Sequence, residues 1–269
     1  MQTADGLYFL GMDGTQRTGW IESDGKRYYL NPDRGGAAHT GWLDHNGKRY
    51  YLNADGVMKT GWLSLNGKRY YLKTDGTMTR GRMVIDGRVW WFAGNGASII
   101  LVNPWNYVPD DYTATIVDTE DGYRVSAECA DALARMLADC RAAGLKPKLA
   151  SAYRTHGDQI WLYNRKVNYY LDAGYSEAEA KALAGTVVAV PGTSEHELGL
   201  ALDLVDESNR NLDESQEKTP VQQWLMKNSW RYGFILRYPN GKSNATGIIY
   251  EPWHYRYVGV EIAKESIQQ

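Results

Sequence analysis

The chain has 269 residues, with 30 Lys and Arg against 32 Asp and Glu, and a sequence pI near 6.2. That balance gives no basic footprint for nucleic acid, and no apolar run approaches the roughly 20 residues a membrane span needs. The length allows one large domain or two smaller ones. The opening stretch MQTADGLYFLGMDG has neither the basic start nor the apolar core of a signal peptide. An extracellular placement therefore implies a leader removed upstream, or secretion by another route. Aromatic usage is lopsided, 10 Trp and 20 Tyr against 3 Phe. Trp and Tyr carry polar handles and suit exposed stacking surfaces, a first pointer to carbohydrate or cation binding.

Residues 1 to about 97 are repetitive. TGWIESDGKRYYLN, TGWLDHNGKRYYLN and TGWLSLNGKRYYLK follow one another, and RGRMVIDGRVWWFA is a degenerate fourth copy. The Gly that opens each copy falls at 19, 41, 61 and 81, a spacing of 20 to 22 residues, which means stacked supersecondary units. In each copy a DG or NG pair separates two aromatic-rich segments, a strong hairpin signal. A lone hairpin is marginal in water, so stacking into a β-solenoid is expected.

These repeats resemble the cell-wall-binding (choline-binding-type) repeats of bacterial surface proteins. The resemblance implies aromatic cages for a quaternary ammonium, an arrangement cation–π attraction favours, with Trp42, Tyr51, Trp62 and Tyr71 as candidate ligand residues. One departure bears on the ligand: Arg27, Arg49 and Arg69 stand where an aromatic usually precedes the Tyr-Tyr pair. An arginine wall repels a cation, and a glycan or anionic wall polymer fits equally well. The same aromatics also fit a plain hairpin core.

Near residue 97 the repeats give way to a Pro-containing extended segment, which divides the chain into 1–97 and 98–269. The second part opens with an amphipathic helix over 126–143 that carries both cysteines, Cys129 and Cys140. Eleven helical residues span roughly 16 Å, and a disulfide needs Cα atoms within about 7 Å, so the two read as unpaired buried thiols. Next come the apolar LKPKLASAYRT and a helical DQIWLYNRKVNYYLDAG. SEAEAKALAG follows, where Ser176 and Glu179 form a capping-box start. A helix over 219–230 and a strand-rich C-terminal portion complete an α+β pattern.

The segment SEHELGLALDL alternates Leu198, Leu200, Leu202 and Leu204 with Gly199, Ala201 and Asp203, and period two is a strand. One face is leucine; the other is small residues ending in a carboxylate. His196 has the other parity, so a turn before Gly199 must bring it round. In a single helix His196 and Asp203 would sit roughly 10 Å apart, too far to share an ion. A metal or a buried cation would justify Asp203 in such a place; a salt bridge to Arg154 is the plainer alternative. YEPWHYRYVG offers a third ligand in His254, with Glu251 three residues earlier and Pro252 permitting a bend. Two His and one Asp make a three-ligand zinc site with an open fourth position, and Glu251 becomes a non-ligand general base. Taken singly, each of these histidines also fits a core or surface role, and Glu251 a surface carboxylate.

SEHELGLALD is similar to the S-x-H-x-x-G-x-A-x-D motif of the VanY-like D-alanyl-D-alanine carboxypeptidases, relatives of the lysostaphin and hedgehog zinc folds. SAYRT with Gln159, and the block WLMKNSWRYGFILRYPNGKSNATGIIYEPWHYRYVG, extend the likeness over about residues 98 to 265. The resemblance implies a small antiparallel sheet flanked by helices and a Zn2+ held by His196, Asp203 and His254. It makes Glu251 the base and sets Arg154 on the substrate carboxylate or developing oxyanion. Ser194 and Gln159 become substrate contacts. Departures are Glu197, where many relatives carry Gln, and His156, read as an exposed loop residue. The implied protein is a secreted, wall-associated D,D-carboxypeptidase trimming the terminal D-alanine from peptidoglycan stem peptides. Within the enzyme class, L,D-carboxypeptidase and endopeptidase activities are the rivals; outside it, a wall-binding adhesin.

Overall fold

A computed structural model of the chain describes residues 2–3, 6–65, 68–110 and 112–266. The chain divides into two compact units, Met1–Ile99 and Ile100–Gln269. Among the described residues no helix is long and apolar enough to cross a membrane.

The first unit is a series of antiparallel hairpins, Gly19–Ser23 with Lys26–Asn31, Gly41–His45 with Lys48–Leu52, Gly61–Leu65 with Lys68–Leu72, and Gly81–Ile85 with Arg88–Phe92. Their turns are the Asp-Gly and Asn-Gly pairs. Asp24 and Gly25 have φ of 52° and 69°, Asn46 and Gly47 of 51° and 71°, Asp86 and Gly87 of 50° and 77°. Positive φ at both central residues is the type I′ geometry that matches strand twist. The corresponding Asn66-Gly67 turn lies outside the described residues.

Neighbouring hairpins are joined by the connectors. Lys59 N donates to Tyr51 O of its own hairpin at 2.8 Å, while Met58 N donates to Arg27 O of the hairpin before at 2.7 Å. One repeat later, Thr79 N bonds Tyr71 O and Met78 N bonds Arg49 O, both at 2.8 Å. Leu30, Leu52 and Leu72, at equivalent strand positions, are fully buried. The connector glycines permit this stacking: a Cβ on Gly76 would lie 2.2 Å from Met58 Sδ, and one on Gly96 2.3 Å from Met78 Sδ.

In the second unit the elements are β1 (Ile116–Asp118), β2 (Arg124–Ser126), α1 (Ala127–Ala142), β3 (Pro147–Ser151), α2 (His156–Asp172), α3 (Glu177–Val187), β4 (Ala201–Asp206), α4 (Pro220–Asn228), β5 (Phe234–Leu236), α5 (Ser243–Thr246), β6 (His254–Tyr257) and α6 (Val260–Ser266). Strands β3, β4, β6 and β5 form, in that order, an antiparallel sheet. All six residues of β4 are buried. Leu202 and Leu204 face a core shared with Cys129, Leu133 and Met136 of α1, Leu225 of α4, Phe234 and Tyr255. The alternating faces hold from Ala201 onward, but Leu198 lies in a 3-10 turn rather than the strand. The C-terminal portion, expected to be rich in strand, contains only β5 and β6, separated by the single turn of α5.

Both cysteines are free and buried. Burial pushes the Cys129 thiol up to about 12 and the Cys140 thiol up to about 11, so neither is a ready nucleophile. The Ser176–Glu179 capping box starts α3. A second box, Thr155–Asp158, starts α2 two residues before the expected helical stretch.

Candidate metal centre and active site

The site is built on the middle of the sheet. Asp203 of β4 and His254 of β6 are directly paired across the ladder. Just upstream of β4, residues Glu195–Leu198 form a 3-10 turn that ends at Gly199, with φ 70°. A side chain there would bring a Cβ within 2.9 Å of Ser126 N, whose N–H donates to Gly199 O at 2.8 Å. Only glycine fits that left-handed, closely approached position. The turn swings His196 back over β4.

His196 Nδ1 lies 2.7 Å from the carbonyl oxygen of Ala152. A carbonyl only accepts, so Nδ1 carries the hydrogen and the Nε2 lone pair is directed inward, 3.3 Å from Asp203 Oδ2. His254 follows the Glu251-Pro252-Trp253 turn, closed by His254 N donating to Glu251 O at 3.1 Å. Its Nδ1 is 3.2 Å from Asp203 Oδ1 and 3.6 Å from Glu251 Oε2. One ligand atom each from His196, Asp203 and His254 lies within 4.8 Å of the others, and all three residues are buried. Asp203 Oδ1 is buried with no hydrogen-bond partner, which is costly for a carboxylate. Two imidazoles and a carboxylate are the borderline donors zinc accepts, so the residues present fit the ion.

Arg154, just past β3, donates through Nη2 to Asp203 Oδ2 at 2.9 Å, through Nη1 to Gln159 Oε1 at 3.3 Å and through Nε to Ser151 Oγ at 3.0 Å. The two readings of Asp203, metal ligand and partner of Arg154, thus meet in one place. Gln159, expected to touch substrate, has no exposed surface. Its Nε2 donates to Ala189 O at 2.7 Å, so it ties Arg154 to the loop before the 3-10 turn. Ser194 is buried at the head of that turn and gives it no side-chain cap. His156 is not in a loop: it is the first residue of α2, and its Nδ1 lies 2.7 Å from Glu197 Oε2. Glu197 Oε1 in turn accepts from Gly192 N at 2.8 Å, which gives the departure at Glu197 a structural task.

Charge is concentrated here. Burial lowers the His196 imidazole to about 4, reinforced by Arg154. Burial opposes a charged His254, yet the carboxylates of Asp203 and Glu195 on either side of the ring outweigh it and lift the ring to about 9. Burial alone would raise Asp203, but His196, His254 and Arg154 hold its carboxyl well below the usual range. At Glu251 the compensation falls short: burial, with Asp203 adding, pushes it up to about 8 against the pull of His254 and Arg154. A buried carboxylic acid beside a candidate metal is a group that can exchange a proton near neutral pH.

Sequence reasoning passed over Glu195, Arg237 and Arg256. Glu195 is 2 % exposed, with Arg237 Nε donating to its Oε1 at 2.7 Å and Arg256 Nη1 at 3.5 Å from the same oxygen. Burial works to raise its pKa, but the two guanidinium groups hold it strongly lowered. The available signal was an acid immediately before the candidate ligand His196.

In the repeats the candidate aromatics are half-buried and packed on one another. Trp42 meets Tyr51 at 5.2 Å and Tyr70 of the next hairpin at 5.0 Å; Trp62 meets Tyr71 at 5.2 Å and Trp90 at 4.5 Å. Over the indoles sit the chain's own guanidinium groups, Arg27 on Trp20 at 4.6 Å, Arg49 on Trp42 at 5.4 Å and Arg69 on Trp62 at 4.4 Å.

A sheet-borne His/Asp/His cluster with a neighbouring buried carboxylate is a donor set that fits a metal ion, and comparison with known proteins narrows the family. Residues 122–260 match the D-alanyl-D-alanine carboxypeptidase family VanY, and residues 39–75 match a choline-binding repeat. The chain belongs to the VanY D-alanyl-D-alanine carboxypeptidase family. It is 42% identical over 172 residues to a D-alanyl-D-alanine carboxypeptidase of Enterococcus faecalis (strain ATCC 700802 / V583), covering 64% of this chain and 62% of that protein. The chain thus spans less than two thirds of that relative's length. Among solved structures, a mutant of the vancomycin resistance D,D-pentapeptidase VanY in complex with Zn(II) aligns with TM-score 0.57 and 42% identity, over 63% of this chain and 93% of that one. The LdcB LD-carboxypeptidase aligns with TM-score 0.55 and 30% identity, over 69% of this chain and 87% of that one.

Proposed function

We propose that the protein is a zinc-dependent D,D-carboxypeptidase that removes the terminal D-alanine from peptidoglycan stem peptides while its repeats hold it on the cell wall. The observation that carries this reading is the convergence of His196, Asp203 and His254 within 4.8 Å, with Glu251 at 3.6 Å from a ligand ring. His196 through Nε2, Asp203 through its carboxylate and His254 through Nδ1 would hold the ion. Bound there, zinc supplies Lewis acidity, bringing the pKa of water from 15.7 to near 7 and polarising a carbonyl. Glu251 takes the proton from the attacking water and returns it to the leaving amine of D-alanine. Burial keeps that carboxyl basic enough to do so. Arg154 provides a fixed guanidinium for the substrate's terminal carboxylate or the developing oxyanion. Gln159 acts behind it, by fixing the fork. A clamp on a free C-terminal carboxylate favours an exopeptidase over an endopeptidase.

A second reading, an L,D-carboxypeptidase acting on tetrapeptide stems, is supported by the likeness to LdcB. Mass spectrometry of muropeptides digested with purified, zinc-loaded protein separates them. Pentapeptide to tetrapeptide is the expected outcome. Tetrapeptide to tripeptide would replace it with the second reading, opened cross-links with an endopeptidase, and no product with a wall-binding module.

The repeats tether to a wall an enzyme whose substrate is an immobilised polymer, which raises the local substrate concentration and fits a secreted, wall-associated protein. For their ligand we favour a glycan or anionic wall polymer. A quaternary ammonium would have to displace Arg27, Arg49 or Arg69 from an indole face that already satisfies cation–π attraction. Choline chloride should leave the tryptophan fluorescence of the full chain unchanged at millimolar concentration; saturable quenching would restore choline as the ligand.

A further inference from the structure

Every buried histidine that binds a metal through one ring nitrogen has a second nitrogen to satisfy, and the partner of that second nitrogen fixes which one is left for the metal. His196 meets the requirement with the neutral carbonyl of Ala152 at 2.7 Å. For His254 no backbone group performs this task. Its Nε2 is buried without a hydrogen-bond partner, and so is Oε2 of Glu195; the two atoms lie 3.6 Å apart. Glu195 is not an adventitious neighbour. Its other oxygen is held by Arg237 at 2.7 Å and approached by Arg256 at 3.5 Å. Arg256 is itself tied to Tyr257 O at 2.9 Å and Ile100 O at 3.2 Å. Arg237 N donates to His254 O at 3.1 Å, and the Tyr238 ring lies 4.7 Å from the imidazole. The carboxylate is therefore anchored from behind, with its unpartnered oxygen directed at the far side of the ring.

We infer that Glu195 is a positioning residue for the metal centre: it holds the hydrogen on His254 Nε2, so that Nδ1 is the nitrogen offered to the ion, with Arg237 and Arg256 fixing the carboxylate in place. The inference rests on His254 being a metal ligand, as proposed above. The two ligand histidines are then oriented unequally, His196 by a neutral dipole and His254 by an anion. The anion makes His254 the more basic ligand, and Glu195 the outer residue on which affinity depends most.

The test is Glu195→Gln, which keeps size and still accepts from Arg237 but removes the negative charge. Zinc affinity of the full chain is measured by competition with a chromogenic chelator, and the His254 tautomer by 15N NMR of histidine-labelled protein with zinc bound. The expected result is a 10–100-fold weaker affinity, the range typical of lost outer partners, with the Nε2–H signature of His254 weakened by faster exchange with solvent and the Nδ1–H signature of His196 unchanged. Glu195→Asp, one methylene short, should lose affinity in the same direction. Wild-type affinity and an unaltered His254 signature in Glu195→Gln would overturn the inference alone. Failure of the wild-type chain to take up zinc would overturn it together with the proposed function.

Discussion

Arg154 and Asp203, 49 positions apart, are joined by a 2.9 Å bond from Nη2 to Oδ2. One carboxylate thus serves a guanidinium and, in the proposed function, a metal ion. The bond adds to His196 and His254 in holding this buried carboxyl well below its usual range.

Replacing Arg154 with Ala should lower kcat/KM for D-Ala-D-Ala-terminated peptides by about 10²–10³, the scale of losing an oxyanion donor. Arg154→Lys should recover little, because an ammonium cannot reproduce the guanidinium fork. Gln159→Leu should cost about tenfold through lost orientation alone. D-alanine release assays check all three, and equal activity in Arg154→Ala would remove Arg154 from the mechanism.

Glu251→Gln separates metal binding from proton transfer. Turnover should fall by about 10²–10⁴, the range for a general acid–base group. Bound zinc, measured by elemental analysis after dialysis, should stay at the wild-type level. A variant that keeps its turnover means that another group moves the proton.

Gly199→Ala should damage both fold and site. The substitution forces an L side chain into φ 70° and a Cβ to 2.9 Å from Ser126 N. Such strain costs on the order of 1–3 kcal/mol, and each kcal/mol lowers the melting temperature by about 2–4 °C in a domain of this size. Because the turn carries His196, zinc affinity should fall with it. Calorimetry that finds no change in melting temperature would contradict the geometry.

Acid should loosen α2 and α3 at their first turns. Hydrogen bonds from Thr155 hold the Asp158 carboxyl below its ordinary 3.8, and those from Ser176 hold Glu179 below 4.5. A carboxylate with a depressed folded pKa contributes stability that is complete above its unfolded value and is lost as pH falls through the folded one. Protection factors of the amides at both helix starts, taken against the intrinsic exchange rate at each pH, should therefore be flat above about pH 5 and fall below about pH 4. Thr155→Ala, which removes one cap, should cost about 1 kcal/mol and abolish the acid step at α2 only.

Much of this was legible in the sequence because it depends on local rules. DG and NG between aromatic runs fixed the hairpins, and period-two leucines gave the two faces of β4. The wrong parity of His196 required the turn that Gly199 closes. What could not be read depends on distant chain segments. Gln159 looked like a substrate contact because it follows the arginine segment, yet its helix turns it inward to Ala189. His156 is exposed as expected, but it begins a helix and lies 2.7 Å from Glu197, a partner of which the sequence carries no sign. Glu195 is next to His196 in sequence and faces His254 in space, a relation set by the pairing of β4 with β6.

The connectors of the repeats carry a consequence for how the array can change in length. Two successive connectors bond the hairpin they leave and the one before it, Met58 and Lys59 with Arg27 and Tyr51, and Met78 and Thr79 with Arg49 and Tyr71. A duplicated unit therefore arrives with its own copies of both bonds, and a deleted unit removes only its own. The length of such an array thus changes in whole turns, because the backbone bonds that join one turn to the next recur from repeat to repeat and do not depend on side-chain identity.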